Sequence, residues 1–249
     1  MSVKNPFIGR RVAGRYARAR PGLHDRVVDL ILARQSRARR AIDLACGTGL
    51  SATPLLSVAQ HVVGVDVSRD MLAAASREQR VSYVQAAAER LPFGGATFDL
   101  ATVCSGIHWF ERDALVELHR ILRVRGTLVI YDVWFPAHMV DEPRFSRWMC
   151  DVCAPRYASV PKNHDNVKAL QGIGFLQTWA ADARYEVPMD LRSLVEYIMT
   201  HSERIAAIQD GRETEPEQDR FLTDGLRALF RYETHRVVEF GIWVRAFRR

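Results

Sequence analysis

The sequence is short of cysteine and has no long apolar run. Four cysteines among 249 residues are too few for a disulfide scaffold, so we expect reduced thiols in a reducing compartment, the cytoplasm. No segment reaches the run of about 18 apolar residues that a membrane span needs, and the first residues lack the charged and then apolar pattern of a secretion signal. With 48% hydrophobic and 26% charged residues, the composition predicts a soluble globular chain.

Positive charge is concentrated in the first 40 residues. This segment holds eleven Lys or Arg against two Asp, a net of +9, so the rest of the chain sums to −3 within a total of +6. Arg11, Arg15 and Arg18 are spaced at i, i+4 and i+7, so a helix over 10–19 would carry them on one face. That face could clamp a carboxylate through bidentate hydrogen bonds, and a solvated basic helix is the alternative.

Short apolar runs alternate with helical patterns up to residue 135, after which the rhythm changes. The predicted strands are 41–45, 62–66, 81–85, 97–104, 127–131, 175–185 and 237–247. The predicted helices are 22–34, 50–58, 70–78, 113–122, 142–154, 163–171, 191–198 and 221–231, with a polar stretch over 209–219. This order predicts an α/β fold, a doubly wound, mainly parallel, Rossmann-like sheet of seven strands, with the late helices as a cover.

A glycine-rich turn, Asp43-Leu-Ala-Cys-Gly-Thr-Gly, follows the first predicted strand, where glycines let a ligand approach the backbone. Asp66 lies 19 residues after Gly47, at the end of the next strand, where its carboxylate can accept hydrogen bonds from two ribose hydroxyls. The pattern predicts a nucleoside ligand. Because Gly47-x-Gly49-x-x-Ala52 also fits a dinucleotide fingerprint, an NAD-dependent dehydrogenase is an alternative, although no Tyr-x-x-x-Lys pair occurs.

Four successive motifs extend this pattern. They are 43–49 (DLACGTG), 65–72 (VDVSRDML), 88–93 (AERLPF) and 98–100 (FDL). In this order they resemble the motifs of class I S-adenosylmethionine-dependent methyltransferases. The segments 107–110 (IHWF) and 16–21 (YARARP) resemble the small-molecule branch that includes the trans-aconitate methyltransferases. The resemblance covers residues 14–135 well and the remainder loosely.

The resemblance implies S-adenosyl-L-methionine as the cofactor and S-adenosyl-L-homocysteine as its product. It divides the chain into a basic N-terminal lid (1–22), a cofactor-binding Rossmann-like core (23–135), and a helical cover with the last strands (136–249). The cofactor residues that it implies are Tyr16, Asp43, Ala45, Cys46, Gly47, Asp66, Val67, Met71, Ala87, Ala88, Glu89 and Ser105.

Two of these assignments leave alternatives open. Asp43 is also interpretable as a carboxylate that caps the loop for structural reasons. Ala87 and Ala88 fall where the family commonly has Asp-Ala, so either Glu89 replaces the missing carboxylate or only backbone groups read the adenine.

His108 is the candidate general base, because it follows the fourth predicted strand at the carboxyl edge where ligands bind. An orienting histidine is the alternative. The candidate acceptor-binding residues are Arg11, Arg15, Tyr16, Trp109 and Trp134, with core packing as the alternative for the two tryptophans. We expect no metal, because Cys150-x-x-Cys153 has no second pair and because His138 and His164 lack the usual partner spacing.

The sequence therefore predicts a methyltransferase that moves a methyl group to oxygen or nitrogen of a small acidic or heteroaromatic metabolite by in-line displacement, with secondary metabolism as one setting. The alternatives are a ribose-directed RNA methyltransferase, the dehydrogenase, and a cofactor-binding partner without catalysis. Nucleic acid is not the expected acceptor, because Ser105-Gly-Ile-His-Trp is neither an Asp/Asn-Pro-Pro-aromatic loop nor a Pro-Cys nucleophile. We expect no membrane partner, and the pattern does not predict an oligomeric state.

Overall fold

The computed structural model describes residues 5–163, 165–231 and 233–249. Within these residues seven strands form one sheet in the order β3-β2-β1-β4-β5-β7-β6. The strands are β1 (Ala38–Leu44), β2 (Ala59–Asp66), β3 (Val81–Gln85), β4 (Phe98–Cys104), β5 (Leu122–Trp134), β6 (Leu176–Met189) and β7 (Arg236–Arg248). Strands β1 to β5 pair in parallel, and β7 lies antiparallel between β5 and β6. The predicted seven-stranded, mainly parallel sheet is confirmed.

Nine α-helices surround the sheet in the described residues. They are α1 (Arg10–Ala19), α2 (His24–Leu32), α3 (Arg69–Ala73), α4 (Arg112–Ile121), α5 (Pro143–Trp148), α6 (Asn166–Ala169), α7 (Leu191–Ile198), α8 (Ser202–Gln209) and α9 (Glu215–Phe230). No helix in the part of the chain that the structure describes is long and apolar enough to span a membrane.

The two faces of the sheet bury alternate residues of each strand. On β5, Leu128 and Ile130 pack with α4, whereas Val129 and Tyr131 pack with α2 on the opposite face. The strands are therefore apolar on both sides, as expected for a parallel sheet covered by helices on each face.

The helical cover is built from two separate stretches of chain, α5 with the turn that follows it and α7 to α9. Buried side chains of α5, α7 and α9, among them Phe145, Tyr197 and Leu226, form one apolar cluster with Phe240 of β7. The N-terminal helix α1 joins this cover, because Arg15 forms ion pairs with Glu196 on α7 and Glu215 on α9.

Three predicted helix bounds were wrong. The segment 50–58 forms turns and a 3-10 helix, Thr53–Ser57, because its buried residues Ala52, Leu55 and Val58 recur every three positions. Helix α3 ends at Ala73 rather than at residue 78. Helix α9 begins at Glu215, six residues before the predicted start, since Thr214 and Glu217 form a capping box within the stretch predicted to be polar loop.

Five of the seven strands were also longer than predicted, and the helix 142–154 is split. β5 begins at Leu122, directly after α4. After α5 the chain continues as a short π-helix, Met149–Cys153, and a short 3-10 helix, Ala154–Arg156. Of the predicted helix 163–171, residues Asn166–Ala169 are helical, and His164 lies outside the described residues.

Candidate functional site

A cavity of about 480 Å³ opens at the carboxyl edge of the parallel strands, below the N-terminal segment. Ligands of open α/β sheets bind at this edge, where the strand order reverses on either side of β1. The sequence-predicted residues that line it are Tyr16, Ala45, Gly47, Asp66, Val67, Met71, Ala87, Ala88, Glu89, Ser105 and Trp109. The structure therefore brings most of the predicted cofactor residues into one cavity.

The loop after β1 has the backbone conformation that its glycines predict. Ala45, Gly47 and Gly49 all have positive φ angles, 54°, 54° and 76°. Glycine is favoured at position 49 because the φ there is positive and because a Cβ would lie 2.2 Å from Oη of Tyr83, which would have to move. Cys46, between them, does not line the cavity and is buried in the core cluster beneath the loop. The structure thus gives no support to a cofactor contact by its thiol, whose pKa burial raises well above the usual value.

Asp66 is held in a fixed orientation at the end of β2. Its Oδ2 accepts a hydrogen bond from Gly47 N (2.8 Å), and its Oδ1 accepts one from Ser68 N (2.8 Å). Burial raises its pKa, and these two N–H groups partly counteract that effect. A carboxylate offers about four lone-pair directions, so Asp66 retains acceptor capacity toward the cavity that it lines.

Asp43 lies behind the loop instead of in the cavity. Its side chain is fully buried, and its two oxygens accept hydrogen bonds from Ser51 Oγ (2.6 Å) and Thr102 Oγ1 (2.6 Å). Ser51 belongs to the glycine-rich loop and Thr102 to β4. These contacts support the structural interpretation of Asp43, as a tie between the loop and two strands, and give no support to its assignment as a cofactor ligand.

The burial of Asp43 predicts a pH dependence of stability. Burial raises its pKa to about 6, above the value of about 3.9 expected in the unfolded chain. The folded state therefore holds more protons between these values, and the free energy of unfolding falls as pH rises from about 4 to about 6, by roughly 2 to 3 kcal/mol. Urea unfolding of the wild type and of Asp43→Asn at pH 4, 5, 6 and 7 measures this. An identical pH profile in both proteins would contradict it.

The end of the cavity beside β2 and β3 is apolar. Val67 and Met71 border it on one side and Ala86, Ala87 and Ala88 on the other, which is a slot with the chemistry to hold a purine ring.

Glu89 also lines the cavity, and its Oε1 accepts a hydrogen bond from Glu111 N (3.1 Å). The carboxylate of Glu89 therefore borders the slot close to Ala87, the position at which the resemblance predicts an aspartate.

Beside β4, two groups that the sequence did not reveal contact residues of the cavity: Phe7, which itself lines the cavity, and Asp132, which does not. Ser105, at a positive φ of 50°, donates a hydrogen bond to Asp132 at the end of β5. Phe7 packs edge-on against both Tyr16 (5.8 Å between ring centroids) and Trp109 (6.0 Å). Asp132 lies near the carboxyl end of a predicted strand, and this position could have identified it from the sequence. Nothing in the pattern around Phe7 indicated a contact with the cavity.

Besides Asp43 and Cys46, four predicted site residues do not line the cavity. Arg15 is turned toward Glu196 and Glu215, and Arg11 is 80% exposed and lies 3.7 Å from Glu215. Trp134 lies over Gly241 and beside Arg184 on the outer part of the sheet. His108 lies in the 3-10 turn Ile107–Trp109. It does not line the cavity, whereas the next residue, Trp109, does. Protein carboxylates occupy the face of Arg11 and Arg15, so the structure gives no support to the predicted carboxylate clamp, which stays a prediction.

The half zinc motif lies in the helical cover. Cys153 is buried, and its sulfur accepts a hydrogen bond from Arg204 Nη2 (3.0 Å), whereas Cys150 is exposed. The two thiols thus have different surroundings. Of the two histidines considered with them, His138 is described and His164 is not.

Comparison with known proteins agrees with this geometry. Residues 42–130 match the family model of the methyltransferase domain. This segment contains the glycine-rich loop, Asp66 and Ser105, so the match covers the cofactor end of the cavity. The match supports the resemblance of this segment to a methyltransferase domain.

The chain is similar to a demethylmenaquinone methyltransferase of Clavibacter sepedonicus, 38% identical over 39% of this chain and 42% of that protein. It is also similar to a malonyl-acyl-carrier-protein O-methyltransferase of Enterobacter lignolyticus, 34% identical over 49% of this chain and 53% of that protein. The chain thus matches only about half of the length of these relatives.

Solved structures share the whole fold at low identity. A candidate type II methyltransferase from Anaeromyxobacter dehalogenans is 22% identical, with a TM-score of 0.69 over 92% of this chain and 96% of that one. The [4+2]-cyclase SpnF is 20% identical, with a TM-score of 0.53 over 90% of this chain and 81% of that one. Since a cyclase shares the fold, the fold alone does not define the reaction.

Proposed function

We propose that this protein transfers a methyl group from S-adenosyl-L-methionine to a small-molecule acceptor. The observation that carries this proposal is the cavity in which Asp66 and the Gly47 loop adjoin an apolar slot. Together with the methyltransferase-domain match over 42–130, that arrangement fits a nucleoside whose ribose meets Asp66 and whose adenine enters the slot beside Val67 and Met71.

The chemistry that the cofactor supplies is an electrophilic methyl group on a sulfonium. The chain aligns the acceptor with that methyl group, because in-line displacement depends mainly on orientation and on exclusion of water. Ser105 and Trp109 border the end of the cavity where the acceptor would lie, and Phe7 and Tyr16 close it from the N-terminal side. We infer that residues 1–22 act as the lid over both ligands.

We propose an oxygen or nitrogen of a small acidic or heteroaromatic metabolite as the acceptor. The aromatic side chains of Phe7, Tyr16 and Trp109 at that end of the cavity support a planar or compact molecule. The similarity to an O-methyltransferase that acts on a malonyl group supports an acidic acceptor. Membership of the trans-aconitate branch and a place in secondary metabolism belong to the same proposal.

Calorimetry distinguishes this proposal from its main alternatives. We expect the protein to bind S-adenosylhomocysteine at micromolar concentrations and to give no heat with NAD or NADH. Heat with the dinucleotide and none with S-adenosylhomocysteine would instead indicate the dehydrogenase. Tight binding of S-adenosylhomocysteine, with no methyl loss from labelled S-adenosylmethionine to any acceptor in a metabolite panel, would indicate a non-catalytic partner.

His108 remains our proposed general base. For a hydroxyl or amine acceptor, we expect His108→Ala to lower kcat at least about tenfold and to change the Kd of S-adenosylhomocysteine less than about twofold. Steady-state kinetics and calorimetry measure the two quantities. Full activity of this variant would remove the base role from His108 and leave the pair Ser105 and Asp132 as the route for the proton.

A further inference from the structure

One part of the cavity lining is an aromatic wall formed by Phe7, Tyr16 and Trp109. All three residues line the cavity. Phe7 meets the other two rings nearly at right angles, with interplanar angles of 85° to Tyr16 and 84° to Trp109. The faces of aromatic rings are electron-rich, so they attract cations as well as planar groups. This wall therefore suits a ring that carries a positive charge.

The charged residues of the cavity lining are all acidic. Asp66, Glu89 and Glu111 line the cavity, and no Lys, Arg or His of the described residues does so. Asp66 is assigned above to the ribose. Glu89 and Glu111 are adjacent, because Oε1 of Glu89 accepts a hydrogen bond from Glu111 N (3.1 Å). A cleft lined by one sign of charge concentrates ligands of the opposite sign, so this lining attracts a cation and repels a carboxylate.

Two cations lie next to rings of the aromatic wall, but each has a partner in the protein and neither lines the cavity. Lys162 Nζ lies 5.7 Å from the ring centroid of Trp109 and forms an ion pair with Glu203 (3.3 Å). Arg20 stacks on another ring of the wall at 4.7 Å, and its Nη2 donates to the carbonyl oxygen of Thr200 (3.1 Å). The described part of the lining thus offers no cation to pair with an acid.

We propose that the methyl acceptor is a nitrogen base with an aromatic ring, an amine that is protonated at neutral pH. Its ring packs on the aromatic wall, and the carboxylates of Glu89 and Glu111 stabilise its charge. This inference rests on the proposed function and narrows it. Of the acidic and heteroaromatic acceptors named there, it selects the heteroaromatic class, and it selects nitrogen over oxygen as the methylated atom.

Transfer to such a nitrogen requires the loss of one proton first. The ammonium gives this proton to the base, for which His108 is proposed above. The nitrogen lone pair then forms the bond to the methyl carbon, while the bond from that carbon to sulfur breaks and its electron pair stays on sulfur. The products are S-adenosylhomocysteine and the methylated ammonium. Positive charge moves from sulfur to nitrogen, so the acidic lining stabilises the product as well.

The test compares three probes of similar size that differ in charge. Benzylamine is a cation at pH 7, benzyl alcohol is neutral and benzoate is an anion. Each is titrated by calorimetry into the protein with and without saturating S-adenosylhomocysteine. We expect the wild type to bind benzylamine at least about tenfold more tightly than benzoate, with benzyl alcohol between them. This preference should shrink as salt is added, because ions screen the carboxylates.

A double variant tests the source of the preference. Glu89→Gln with Glu111→Gln keeps the side-chain volumes and removes two of the three acids, so the preference for benzylamine should fall to about twofold or less. The matched control, Glu186→Gln with Glu233→Gln, removes the same charge from two exposed acids outside the lining. It should retain the wild-type preference.

A wild type that binds benzoate as tightly as benzylamine would overturn the inference, and this outcome requires no folded variant. Retention of the preference in the Glu89 and Glu111 double variant would also overturn it. Failure of the proposed function is a different result. A protein that prefers benzylamine but binds no S-adenosylhomocysteine would refute methyl transfer alone, whereas one that methylates carboxylic acids and no aromatic amine would refute the present inference alone.

Discussion

Asp66→Ala is expected to weaken binding of S-adenosylhomocysteine at least about 100-fold, the largest effect of any single substitution in the cavity. A hydrogen bond to a charged group contributes about 1.5 to 3 kcal/mol, and a ribose offers two hydroxyls to this carboxylate. The substitution also leaves the N–H groups of Gly47 and Ser68 without their acceptor, so the loop loses its preorganised shape. Calorimetry at neutral pH measures the change in Kd.

Two further variants make this result specific. Asp66→Asn keeps the side-chain volume but turns an N–H₂ group toward one of the two backbone donors, so we expect an intermediate loss of affinity. Glu186→Ala removes an exposed acid from the far edge of the sheet and should leave Kd unchanged. Wild-type affinity in Asp66→Ala, with an unchanged melting temperature, would show that the ribose is held elsewhere.

Gly106→Ala is expected to have the largest effect on stability among the cavity variants. A Cβ at Gly106 would lie 2.6 Å from Cβ of Ala45, and both atoms are fixed by the backbone, so neither can rotate away. Overpacking of this kind costs about 1 to 3 kcal/mol, which corresponds to a fall in melting temperature of roughly 3 to 10 °C for a chain of this size. Affinity for S-adenosylhomocysteine should fall as well, because the clash displaces the loop at Ala45.

The double variant Ala45→Gly with Gly106→Ala tests the cause. Ala45 has a positive φ of 54°, a conformation that glycine adopts without strain, so Ala45→Gly alone should change stability by less than about 1 kcal/mol. In the double variant, Ala45→Gly removes the Cβ with which the new Cβ of Gly106→Ala would clash. Scanning calorimetry should therefore show recovery of most of the lost melting temperature. Additive losses would mean that Gly106 is required for another reason.

The cofactor end of the cavity was predictable because its geometry is local. The turn at Gly47 and Gly49, the acid at the end of the next strand and the residues after it follow one another in sequence, and parallel strands bring their carboxyl ends to one edge. The sheet was predictable for the same reason, since alternating apolar runs define strands without knowledge of long-range contacts.

The acceptor end was less predictable because its contacts join distant parts of the chain. The spacing of Arg11 and Arg15 defined a helix face but not what that face meets, and Arg15 meets acids 181 and 200 residues away. Arg20 entered only as part of the segment 16–21, since its position between the rings of Tyr16 and Tyr197 depends on the cover. Asp43 was ambiguous because a buried carboxylate and a ligand-binding one have the same sequence signature.

The antiparallel strand between β5 and β6 gives the molecule an order of assembly during synthesis. Strands β1 to β5 can pair once the ribosome has released the chain through residue 134, whereas β6 cannot join the sheet until β7, residues 236–248, has emerged. The half of the molecule that would bind a nucleoside can thus form early. The half that would select the molecule to be modified waits for β7, so a nascent chain would acquire its donor site well before its specificity.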